Sequence, residues 1–129
     1  MFDYTVETSK SVEEAVKSLE ENLKEKQFGV LWQFDVKETL ESKGLDYEKP
    51  FMILEVCNPK EAQKVLTANQ KVGYMLPCKM VVYEDDQDGK TKIGMPKPTE
   101  LINMVGDDSI NDIAKDIENR LIEAIEQSK

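Results

Sequence analysis

The order of hydrophobic patterns along the chain predicts an α+β fold, an antiparallel sheet with two long helices packed on one face. Three observations carry this reading. Apolar residues keep helical spacing in two stretches, one near the start and one at the end of the chain. Between them lie alternating or continuous apolar runs of strand length, separated by Gly, Pro and Asn. The resulting order is strand, helix, four mostly consecutive strands, helix, and 129 residues make one domain over 1–129 with no room for a second.

Tyr4 and Val6 alternate with Thr5 and Glu7, the pattern of a half-buried first strand that stops at Thr8-Ser9-Lys10. Ser11 caps the helix that follows, and Glu14 completes a capping box. Val12, Val16, Leu19 and Leu23 give that helix a core-facing stripe, and Phe28-Gly29 ends it because Gly accepts the left-handed cap conformation. Val30, Trp32, Phe34 and Val36 alternate with Leu31, Gln33, Asp35 and Lys37, which predicts a second strand with its apolar face toward the core. Glu38 to Gly44 reads as one or two helical turns before a loop over 45–50. Phe51 to Cys57, apolar except for Glu55, fits a central strand.

Asn58-Pro59-Lys60-Glu61 is the sharpest local signal: a capping Asn, Pro at the first helical position and an acid in the first turn. Ala62, Val65 and Leu66 give this helix a short apolar face, and Ala68-Asn69-Gln70 ends it. Val72 to Pro77 is an apolar turn or short helix leading to Cys78. Met80 to Glu84 and Lys90 to Met95 form a hairpin about the polar turn Asp85 to Gly89, and Pro96 and Pro98 end it. Thr99 caps a turn through Leu101, Ile102, Met104 and Val105, broken by Gly106. Asp107, Asp108 and Ser109 offer the cap of the last helix, where Ile110, Ile113, Ala114, Ile117, Leu121, Ala124 and Ile125 keep one face over four turns. The helical excursion between the third and fourth strands is long enough to return the chain to the same edge, which would make Cys57 and Cys78 neighbours.

Charge and composition narrow the function. Seventeen basic residues against 26 acidic ones give a net charge of −9, which repels nucleic acid and anionic membranes. The acidity sits at the two ends: residues 1–28 carry four bases and seven acids, residues 99–129 three and eight, and the strand-rich middle ten and eleven. With no histidine, Ser-His and Cys-His hydrolase chemistry is excluded. No basic-then-apolar leader opens the chain, no apolar run approaches the roughly 20 residues of a membrane span, and the two cysteines form no Cys-x-x-Cys pair; a reducing cytoplasm is the expected compartment.

Each candidate site has a plain structural reading beside it. Cys57 and Cys78 could hold zinc, with Cys57, just before a helix N-terminus, as the readier thiolate; the plain reading is two buried thiols at strand ends. Asn58 to Glu61 could take an anion on free amides, unless the Asn and Glu side chains already satisfy them. Gly73 to Pro77, with Tyr74 and Met75, suits an adaptable apolar rim over a pocket. Trp32, Phe34 and Tyr47 could line a cavity, though aromatic residues on a strand face are usually core. Glu55 and Asp35 would make an acid/base or cation site if they faced each other; alternation sends both to solvent. Glu84 to Gly89 lacks the ligand spacing of a calcium loop and reads as a solvated turn.

The chain resembles the domain of unknown function 302 family over essentially its full length. Phe51 to Cys57, Asn58-Pro59, Ala62, Leu66, Gly73, Leu76-Pro77-Cys78 and Val81-Val82-Tyr83-Glu84-Asp85 carry the resemblance. It implies a TATA-binding-protein-like β-α-β4-α fold assembled as a homodimer, and it implies no established activity. The expected function is therefore a non-enzymatic cytoplasmic binding domain that holds a small ligand near the 58–78 excursion through Asn58, Tyr74, Met75 and Trp32. Two alternatives are a zinc-binding or thiol-dependent protein using Cys57 and Cys78, and an adaptor whose acidic helices, 11–26 and 109–128, dock on a protein partner.

Overall fold

The computed structural model describes all residues, 1–129, and has the predicted α+β architecture. Its elements are β1 (Asp3–Thr8), α1 (Val12–Glu25), β2 (Gly29–Asp35), α2 (Val36–Ser42), β3 (Phe51–Cys57), α3 (Pro59–Ala68), β4 (Cys78–Glu84), β5 (Thr91–Pro96), α4 (Pro98–Asn103) and α5 (Asn111–Ser128), with 3₁₀ turns at Gln70–Met75 and Asp108–Ile110. The sheet runs β1-β5-β4-β3-β2 and every pair is antiparallel. Because β1 and β2 occupy opposite edges, the helix joining them has to cross the sheet, and α1 packs along β2, β3, β4 and β5. Beside it, α5 packs on α1 and reaches β1, where the Tyr4 hydroxyl donates to Glu126.

Core formation follows from the two stripes. Val12, Ala15, Val16, Leu19 and Leu23 of α1 meet Ala114, Ile117, Leu121, Ala124 and Ile125 of α5 over Leu54, Val56, Met80, Val82, Ile93 and Met95 of the sheet. Each fully buried leucine among them contributes about 2 kcal/mol from burial alone. The Ser11 to Glu14 capping box closes reciprocally, as its spacing predicts. No helix is long and apolar enough to cross a membrane.

Several local expectations are corrected. The turn out of α1 uses Gln27 at φ 66°, not Gly29, as its left-handed residue. Thr99 does not cap α4; its amide and hydroxyl donate to Glu118 of α5 instead. Of Asp107, Asp108 and Ser109, it is Asp107 that caps, accepting from the Ser109 amide at 3.0 Å, and it caps the 3₁₀ turn Asp108–Ile110, while α5 itself starts after Ile110 with no side-chain cap. The main correction concerns β2. Val30 pairs with Val56 but Trp32 pairs with Glu55, so Leu31 is an extra residue in a bulge. A one-residue slip turns every later side chain over. Trp32 and Phe34 leave the core for the opposite face, where Trp32 is 54% exposed, and Gln33 and Asp35 point toward the helices.

Candidate functional site

The excursion between β3 and β4 is pinned at both ends. Asn58 is buried, and its Oδ1 accepts from the amides of Lys60 at 3.0 Å and Glu61 at 3.3 Å. These bonds occupy the free amides of α3 that an anion would need. Glu61, also buried, pairs with Arg120 of α5 at 3.1 Å and with Lys64 at 3.1 Å; the Arg120 guanidinium lies 5.3 Å above the Phe28 ring. At the other end Asn69 accepts from the Lys71 amide and donates to Asp107 at 3.0 Å. Between these anchors residues 70–76 form a wall, and the chain re-enters the sheet with Cys78 opposite Val56.

Behind that wall lies an apolar cavity of about 50 Å³. Val65 of α3, Val72, Met75 and Leu76 of the wall, Cys78 and Lys79 of β4, Met95 and Pro96 of β5, Pro98, Leu101 and Ile102 of α4, and Ala114, Ile117 and Leu121 of α5 line it. An apolar cavity of roughly 150 Å³ holds a benzene ring, so this one, as closed, suits a small alkyl or thioether group. A larger, mixed cleft of about 540 Å³ opens between the start of α1 and the β2–β3 edge. Most of its polar groups are already engaged, Ser11 with Glu14, Gln33 with Glu20, Asp35 with the Glu38 amide and Lys37 with Glu41, which leaves Glu13. They converge on nothing, whereas the smaller cavity is walled by six separate elements.

Of the residues expected to bind a ligand, Met75 lines the cavity. Asn58 is the helix cap, Tyr74 is 90% exposed and outside the cavity, and Trp32 lies on the far face of the sheet. Those not anticipated, Met95, Leu101, Ile102, Ala114, Ile117 and Leu121, come from the hairpin and the C-terminal helices. Their helical spacing signals burial, and it is the same whether the apolar face meets a packed core or a void.

The cysteines come close in the chain trace and diverge in direction. Cys78 pairs with Val56 and lines the cavity, while Cys57, one residue on, points to the opposite face. Burial, with Cys57 nearby, pushes the Cys78 thiol up to about 11. Burial also raises Cys57, opposite to the lowering expected from the α3 N-terminus. Zinc needs thiolates converging on one centre with further ligands. The two thiols stand on opposite faces of the sheet, and no group of three or more His, Cys, Asp or Glu side chains gathers around either.

Glu55 and Asp35 are likewise on opposite faces. Glu55 pairs with Lys79 at 3.1 Å and Asp35 caps α2. In the 85–89 turn, Asp85 and Asp88 accept backbone amides from Gln87 and Lys90, and Lys92 reaches both Asp88 and Glu7.

Comparison with known proteins gives the same picture of the fold. The chain superimposes on the crystal structure of an uncharacterized conserved protein DUF302 from Bacillus stearothermophilus with a TM-score of 0.95 and 53% identity, over 100% of this chain and 99% of that one. No curated protein matches. The family model described as domain of unknown function DUF302 matches residues 4–128, and the chain belongs to that family.

Proposed function

We propose that this chain is a binding domain whose cavity behind the 70–76 wall receives the small apolar end of a ligand. The lining carries this reading: an apolar void bounded by the excursion, α4, α5 and the β4–β5 strands. The cavity offers a ligand burial and van der Waals contact. Its one ionisable atom in the interior, the Cys78 thiol, stays protonated near neutral pH, so the site supports binding rather than covalent chemistry.

Methyl-labelled methionine gives a direct test, because Met75 and Met95 line the cavity while Met1 and Met104 are exposed. Titration with 1-propanol or dimethyl sulfide is expected to shift the Met75 and Met95 methyl signals saturably and leave Met104 unchanged. Ala114→Leu, which fills the void, removes the response without unfolding the chain. Unsaturable shifts, or shifts of equal size at Met104, would overturn the reading.

A further inference from the structure

Three of the side chains that line the cavity carry sulfur. Met75 comes from the 70–76 wall, Cys78 from the start of β4 and Met95 from β5. Cys78 and Met95 stand on the helix side of the sheet, the first opposite Val56 and the second opposite Tyr4, both of which face the core. Methionine in a core ordinarily fills irregular gaps. Here two methionines and a thiol border a space that they leave open.

The donor set selects an occupant. Thiolate and thioether are soft ligands that favour the cuprous ion and its heavier relative silver(I), whereas hard divalent ions take oxygen. Charge selects in the same direction. No carboxylate lines the cavity, and Lys79 beside it has its ammonium drawn to Glu55 at 3.1 Å on the opposite face of the sheet. A monovalent cation held by one thiolate and two neutral thioethers carries no net charge, so it can lie among apolar side chains; zinc in the same place would leave a positive charge buried and unpaired.

We propose that Met75, Cys78 and Met95 form a three-sulfur site for one cuprous ion. The ion replaces the thiol proton, which passes to solvent; a metal–sulfur bond forms at Cys78, each thioether donates a lone pair, and no electron is transferred. The inference rests on the cavity of the preceding reading and gives it a second class of ligand.

Silver(I), equal in charge and softness and stable in air, is the probe, and Cys57→Ser removes the thiol on the other face. Added to this full-length variant with methyl-labelled methionine, silver(I) is expected to move the Met75 and Met95 signals together, to finish at one equivalent, and to leave the exposed Met104 in place. Cuprous ion supplied without oxygen should give the same end point. In the same background Cys78→Ala is expected to lose the ion in native mass spectrometry, and Met75→Leu with Met95→Leu, which conserves volume and keeps the thiol, to weaken binding by about tenfold or more. Should Cys78→Ala fail to fold, the leucine pair still decides. Retention of the ion by Cys78→Ala, undiminished affinity in the leucine pair, absence of a cuprous end point, or Met75 and Met95 signals that stay put at one equivalent overturns the proposal. Saturable 1-propanol shifts without a silver response reject the metal site and keep the apolar cavity; a silver response without propanol shifts does the reverse.

Discussion

Gly94 shows how closely the sheet is fitted at one residue. It pairs with Thr5 on β1, and a Cβ built there would lie 2.6 Å from the Thr5 Oγ1 and 3.3 Å from its Cβ and Cγ2. Only a hydrogen in that position lets the two strands keep their register. Gly94→Ala is expected to cost about 1–3 kcal/mol through this overpacking, read as a drop in Tm. Because Oγ1 and Cγ2 are two of the three clashing atoms, Gly94→Ala with Thr5→Ala should recover part of the loss, a non-additivity that a simple propensity effect would not show. Residue-scale features of local origin were legible beforehand. Ser11 and Asn58 read as caps from their neighbours alone, and both act as caps. The directions of Cys57 and Cys78 were not legible, since they depend on which residue of β4 stands opposite Val56.

Among the elements, α3 and β2 behave in opposite ways. The start of α3 is determined by four consecutive residues, and Asn58 Oδ1 takes two amides that would otherwise be buried donors. Asn58→Ala is expected to destabilise the chain by about 1–2 kcal/mol, whereas Asn58→Asp, which keeps the acceptor, should cost much less; chemical denaturation midpoints at constant slope are the check. For β2 the alternation of Val30, Trp32, Phe34 and Val36 correctly predicts a strand and misplaces its face. The bulge at Leu31 leaves no mark in a hydrophobic pattern, because skipping one residue alters phase without altering composition.

For the molecule as a whole, the exposed ion pairs set a pH dependence. Glu7 lies below its ordinary value of 4.5, chiefly through its hydrogen bond with Lys92. Asp88 lies below 3.8, chiefly through the Lys90 amide. The same carboxylates hold Lys92 above its ordinary 10.5. A carboxylate depressed on folding stabilises the fold above its unfolded pKa, and that contribution is lost as pH falls through the folded value. A lysine raised on folding contributes below its unfolded pKa and loses that contribution as pH rises through the folded value. Wild type should therefore melt above Glu7→Gln at pH 7, and the gap should close as pH falls below about 4.5. Taking the difference of the two Tm curves cancels the relief of the general acidic repulsion over the same range. Since Glu7 is fully exposed, the gap should also shrink with added salt.

Fold class, the two long helices, the hairpin and the return of the 58–77 excursion were determined by sequence alone. Each rests on periodicity or on caps and turns within a few residues of one another, and those interactions exist before any tertiary contact. Tertiary structure alone decided the placement of β1 beside β5, the turning of Gln33 and Asp35 to the helix side of the sheet with Trp32 on the other, and the gap among Met75, Met95 and Ala114. An apolar stripe states that a face avoids water. Whether it meets a close-packed neighbour, a void or another molecule is set by how side chains from distant segments fill the space between them, and a linear pattern carries no record of that volume.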